Sequence, residues 1–243
     1  MTDYNAIAES NNFIVLPALA LTMAQPTSAA TFDFQFFEVP GSAFTFGTGI
    51  NNAGLVMGQY VDSSSATRGY VRELEGTLTL FDFPDATTTS VEGINNTEQI
   101  VGWTLFYESD LARGLTAQAD GTLLTLIDAP GAISQPLQVP ATGTLILENN
   151  DAGQLVGVVD NADGRQGFLF NQGDFSLINF PGAAATFAVD INNQNEIVGL
   201  FVDDQGLSDF DWKALHLAGV GNILFPHQHR AIIIARGEVA TIG

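Results

Sequence analysis

Apolar and polar residues alternate along most of the chain in short runs, and each run is bounded by Gly, Asn, Asp or Pro. Alternation of this kind puts every second side chain on one face, the pattern of a half-buried strand. In residues 44–83 the runs are Phe44–Ile50, Leu55–Val61, Arg68–Leu74 and Thr77–Phe83. Four strands joined by tight turns are therefore expected there, and no stretch carries a sustained helical period.

The same layout recurs. Asn-Asn pairs stand at Asn51-Asn52, Asn95-Asn96, Asn149-Asn150 and Asn192-Asn193, spaced by 44, 54 and 43 residues. Each is followed by a strand-like segment with a glycine in register, at Gly58, Gly102, Gly157 and Gly199. Each repeat is preceded by a proline, at Pro40, Pro84, Pro130 and Pro181, where a missing N–H does little harm at a strand end. The Asn pairs read as hairpin residues, because Asn tolerates left-handed angles and bonds its own main chain. Four-stranded modules of about 45 residues in tandem predict a β-propeller.

The expected fold is all-β and five-bladed, with four tandem repeats plus a composite blade drawn from both chain ends; four blades is the alternative. The tail RAIIIARGEVATIG is read as the first half of a further module, and TFDFQFFEVP as a fourth strand. Residues 1–30 are read either as a leader or as a strand of the closing blade, and 31–243 as one domain. Phe13–Ala24 is apolar and followed by Ser28-Ala29-Ala30, as before a signal-peptidase cut, but no Lys or Arg precedes it. That run is too short for a bilayer, which takes about 20 apolar residues.

Gly49-Ile50-Asn51-Asn52-Ala53-Gly54 with Gly58 and Asp62, together with Phe180-Pro181-Gly182-Ala183 and Asp190-Ile191-Asn192-Asn193, resemble the HAF-type extracellular repeats of bacterial secreted proteins. The His-Ala-Phe-like tripeptide is replaced here by Arg68-Gly69-Tyr70, Arg113-Gly114-Leu115 and Gln166-Gly167-Phe168. The resemblance implies an exported repeat scaffold, extracellular or periplasmic, and no catalytic residues.

Charge narrows the partners. Lys plus Arg is 7 against 27 Asp plus Glu, a net −20, and Lys213 is the one lysine. Binding to nucleic acid needs Lys and Arg to displace counterions from phosphates, so it is excluded as an expectation. Cysteine is absent, which removes disulfides, thiol nucleophiles and thiolate metal sites. No G-x-S-x-G elbow, phosphate-cradling loop or dinucleotide fingerprint occurs. Gly47-Thr48-Gly49 reads as close backbone packing on a strand.

Three groups of residues can carry chemistry. His216, His227 and His229 are the only imidazoles; the last two, two apart, share a strand face, and the trio is the catalytic candidate. Asp160-Asn161-Ala162-Asp163-Gly164 and Asp203-Asp204-Gln205-Gly206 are oxygen-rich loops, making Asp160, Asp163, Asp203 and Asp204 the candidate ligands for Ca²⁺. Glu92, Glu148 and Asp190 lie on the expected innermost strands, where an unpaired buried carboxylate is costly, and are the preferred ligand-binding set. Their offsets from the Asn pairs differ, so Asp190 is expected to face away from the two glutamates. Trp103 and Trp212 are candidate sugar-stacking surfaces, while Phe36, Phe37, Phe44, Phe46, Phe81, Phe83, Phe106 and Tyr107 are assigned mostly to the core.

The expected function is a secreted propeller binding a small ligand or glycan at its central channel, with calcium as a cofactor. The alternative is a Ca²⁺-dependent hydrolase of a lactone, such as an acylated homoserine lactone, or of a glycosidic bond. A third reading is a self-assembling surface protein, which the net charge disfavours.

Overall fold

The computed structural model describes residues 34–106, 109–134, 141–203, 212–217, 231–235 and 238–241. The chain divides into two compact units, Met1–Phe37 and Glu38–Gly243, and the second carries every element described below. All of those elements are strands.

The first sheet contains β1 (Phe44–Ile50), β2 (Val56–Val61), β3 (Thr67–Arg72) and β4 (Leu78–Phe81), and the second β5 (Ala86–Ile94), β6 (Gln99–Phe106), β7 (Ser109–Gln118) and β8 (Thr125–Ile127). The third contains β9 (Thr142–Asn149), β10 (Leu155–Asn161), β11 (Gly164–Asn171) and β12 (Asp174–Ile178). The fourth begins with β13 (Ala183–Ile191), β14 (Ile197–Asp203) and β15 (Trp212–Leu217), followed by β16 (Ala231–Ala235) and β17 (Glu238–Thr241). Within each sheet successive strands pair antiparallel, and the third strand of a sheet touches the first strand of the next in a short parallel contact, as Thr67 beside Thr88 and Arg165 beside Ala185. The first strands of neighbouring sheets lie side by side. Successive antiparallel meanders, the first three of four strands each, form the blade pattern of a β-propeller.

The repeat anchors have separable jobs. In the Pro turns, Val39, Phe83, Ala129 and Phe180 accept the N–H three residues on, and the third residue takes a positive φ at Gly41, Asp85, Gly131 and Gly182. Proline followed by such a residue makes a type II-like turn. A threonine on the strand that follows locks each turn: Thr45, Thr89, Thr144 and Thr186 accept the backbone N–H of those same four residues at 2.9–3.1 Å.

The recurring glycine answers to sterics. A Cβ at Gly58, Gly102, Gly157 or Gly199 would run into the carbonyl oxygen of Phe46, Ser90, Leu145 or Phe187 on the sheet's first strand. Each glycine faces the start of a β-bulge there, whose extra residue is Thr48, Glu92, Leu147 or Val189. Bulges bend a strand and re-aim its side chains.

Apolar clusters fill the joints. Met57, Val71 and Phe81 meet Val91, Ile94 and Ile100 between the first and second sheets. Val101 meets Ile146, Leu155 and Phe168 at the next joint, and Val156, Leu169 and Ile178 meet Ala188, Ile191 and Ile197 after it. Aliphatic residues dominate where aromatics were expected. Phe81 is buried, but Phe44 is 60% exposed and Phe46 also faces solvent, because β1 has a neighbouring sheet on one side among the described residues. Tyr107 lies outside the described residues.

Two further expectations change. The third repeat is aligned one residue later than the first Asn of its pair suggests: Asn150, not Asn149, matches Asn51, Asn95 and Asn192 in its turn bonds. The tail does not start a separate sheet, since β16 pairs with β15 and β17 with β16, extending the fourth. The segment expected to complement it, TFDFQFFEVP, forms no strand over its described residues 34–40, and the residues before 34 lie outside the described ones.

Candidate functional site

The first strands end in the Asn turns. Asn51, Asn95, Asn150 and Asn192 each accept two backbone N–H groups of their own turn on Oδ1, as from Ala53 and Leu55 at 3.0 Å onto Asn51. That is the hairpin role read from the sequence. The amide nitrogen does something else: Asn51 Nδ2 donates to Asn95 O, Asn95 Nδ2 to Asn150 O, and Asn150 Nδ2 to Asn192 O, at 3.2, 2.8 and 3.2 Å. The next residue adds a second tier. Backbone N–H groups of Asn52, Asn96 and Asp151 donate to the side-chain oxygens of Asn96, Asp151 and Asn193. An amide can accept inside its own repeat and donate into the next, which a carboxylate cannot. The pairs therefore tie the sheets together; a second function of this kind leaves no mark in spacing.

One register step back from these turns lie Gly49, Gly93, Glu148 and Asp190, facing Met57, Val101, Val156 and Val198 across their sheets. Glu148 and Asp190 thus occupy equivalent positions. Glu92 is the bulge residue just before Gly93. The expectation that Asp190 faces away is not met for Glu148, since the two hold the same register opposite Val198 and Val156, and the charges of Asp190 and Glu92 add to the proton affinity of Glu148. Aligning the third repeat on Asn150 puts Glu148 and Asp190 in the same register, two residues before their turn asparagines.

Each glutamate is held in place. Glu92 accepts on Oε1 from Ser90 Oγ (2.5 Å), Trp103 Nε1 (3.0 Å) and Gln59 Nε2 (3.3 Å). Burial pushes its carboxyl above the usual range against the pull of those three bonds. Glu148 Oε1 accepts the N–H of Asn149 at 3.0 Å and rests where a Cβ on Gly93 would sit. Burial raises its carboxyl to about 7, with Asp190 and Glu92 adding to the rise. Asp190 is exposed. Carboxyls fixed on one oxygen keep the other for a donor, and one poised near neutrality can act as acid or base. Trp103 joins this group through its indole N–H and packs on the Ala112, Ala141, Leu145 and Val158 cluster, so it positions Glu92. Gln59 and Ser90 had no signal in the sequence.

The other candidates are not brought together. Asp160 is fully buried and binds Arg165 through both oxygens, at 2.9 and 2.7 Å, while also accepting Gly143 N–H. It is spent on an ion pair within the third sheet, across the β10–β11 hairpin. Asp163 sits exposed at the β10–β11 hairpin, its N–H bonded to Asn161 Oδ1. Among the described residues no group of three His, Asp or Glu could hold a metal ion. Asp203, Trp212 and His216 are placed by backbone only, His216 between Val198 and Ile232. Asp204, His227 and His229 lie outside the described residues.

No family model and no curated protein matches this chain. Among solved structures it is similar to a chain of the nidogen/laminin complex at 15% identity and a TM-score of 0.46, covering 81% of this chain and 67% of that one. No helix among the described residues is long and apolar enough to cross a membrane.

Proposed function

We propose that this chain is an exported, HAF-type propeller scaffold that binds a small hydroxyl-rich or amine-bearing molecule, a glycan included, on its inner strands. The observation that carries the reading is the meeting of Glu92, Glu148 and Asp190 from three successive sheets, with the two glutamates pre-oriented by hydrogen bonds. Pre-orientation lowers the cost of ordering a site on binding. Of the two expected blade counts, five and four, the pairing of β16 on β15 supports four. Calcium enters the proposal through Asp203 and Asp204.

Binding is tested by NMR titration with a panel of neutral oligosaccharides, amino sugars and lactones. Shifts should gather on β5, β9 and β13, and Glu92→Gln should weaken binding about tenfold or more, as loss of a hydrogen bond to a charged acceptor does. Shifts elsewhere, or unchanged affinity in Glu92→Gln and Asp190→Asn, overturn the reading.

One observation favours hydrolysis as a second reading: a buried carboxyl poised near neutrality beside other acidic side chains is suited to general acid–base work. Turnover of a lactone or glycoside that disappears in Glu148→Gln would support it.

A further inference from the structure

The third sheet differs from its neighbours at one place. Where the first two sheets carry Gly49 and Gly93, it carries Glu148, and the Glu148 carboxyl fills the space that the missing Gly93 side chain leaves. The seat is snug, for a Cβ on Gly93 would also crowd Val101 Cγ2 at 2.9 Å. The occupant is thus a titratable group wedged into a joint between two sheets, with one hydrogen bond among the described residues, from the N–H of Asn149.

We propose that Glu148 is a proton-operated latch on the joint between the second and third sheets: uncharged, its carboxyl stays seated on Gly93, and charged, it withdraws toward solvent and opens the inner-strand face. The charged groups that act on it are Glu92 from β5 and Asp190 from β13, both repelling a carboxylate. From β6 come the neutral Gln99 and Val101, and from β10 Val156, while Asp160 at the far end of β10 is neutralised by Arg165. Arg113, on β7 against β9, is paired with Asp128, so among the described residues no free cation offsets the charge when Glu148 ionises. Desolvation then acts in the same direction, and both forces are relieved by leaving the seat. Burial and the two neighbouring carboxylates set the change at about pH 7.

The effect on ligand binding rests on the function proposed above, so the latch is tested on the ligand-free full chain, where the two ideas fail separately. In NMR spectra between pH 5 and 9, the amide signals of Gly93 and Asn149 should move together with a midpoint near 7, and Glu148→Gln should hold them at their low-pH positions. Gly93→Ala, which removes the seat, should place the Asn149 signal at its high-pH position throughout. Signals that stay flat in the natural protein, or that move identically in Glu148→Gln, overturn the latch whether or not Gly93→Ala folds.

Discussion

The turn end of the inner strands and their middle obey different rules. At the turns, Asn51, Asn95, Asn150 and Asn192 repeat one arrangement with nearly constant geometry. A register step away, Gly49, Gly93, Glu148 and Asp190 share a backbone position and almost nothing else. Sameness across repeats marks what every joint needs. Divergence at one backbone position marks where a repeat is free to carry chemistry, and here the divergent residues are carboxylates.

The sharpest way to break this comparison is at the turns. Asn95→Ala removes a buried acceptor for the N–H groups of Thr97 and Gln99 and the donor to Asn150 O. It also leaves those partners unmet, at about 1–3 kcal/mol for each buried group stranded. A total loss of about 3 kcal/mol is expected by urea unfolding. Asn95→Asp keeps the acceptor and loses the donor, so it should fall roughly midway. If both substitutions prove equal, the donation into the next sheet contributes nothing.

The middle tier is tested through pH. Glu148 in the folded chain has its affinity for protons raised to about 7 from an ordinary 4.5. Below about 4.5 both folded and unfolded states hold the proton, and ionisation costs the fold nothing. Between there and about 7 the unfolded state ionises first, so stability falls as pH rises, and above 7 the loss is complete. Glu92 is shifted in the same direction by burial and adds to the slope. Glu148→Gln should therefore gain about 1–3 kcal/mol at pH 8, since each pKa unit is worth about 1.4 kcal/mol. The gain should vanish near pH 4, as thermal melts at the two pH values would reveal. A substitution that stabilises equally at both would mean that packing, not charge, is at issue.

These differences explain how much was legible beforehand. Asn pairs, prolines and glycines announced four modules of four strands, because each is demanded by backbone geometry that every repeat shares. The bulges at Thr48, Glu92, Leu147 and Val189 were hidden, since nothing in their side chains betrays an extra residue opposite a glycine. Counting Glu148 from Asn149 rather than from Asn150, the residue that matches Asn192, puts it out of step with Asp190 and predicts opposite faces for two residues in the same register. Glu92 and Glu148 were found as acids out of place on apolar strands. Asp160 was taken for a loop ligand because its partner Arg165 stands across a hairpin and looks like a separate surface charge. The turn role of the Asn pairs was readable from local chemistry, whereas their bonds to the next repeat span 42 to 55 residues.

The smallest effect separates two residues that look identical in sequence. Asn52 and Asn96 hold the same place in consecutive turns. Asn96 accepts Asn52 N–H on Oδ1 and donates Nδ2 to Asp151 Oδ2 at 3.0 Å, while the Asn52 side chain is exposed and its backbone N–H does the bonding. Asn96→Ala should cost about 1 kcal/mol, the usual net worth of a partly exposed hydrogen bond. Asn52→Ala should stay within about 0.5 kcal/mol, as surface substitutions away from such contacts do. Parallel urea titrations of the two variants decide it. Equal losses would mean that the Asn52 side chain has a partner of its own, and that the chain of turn bonds continues past the first sheet.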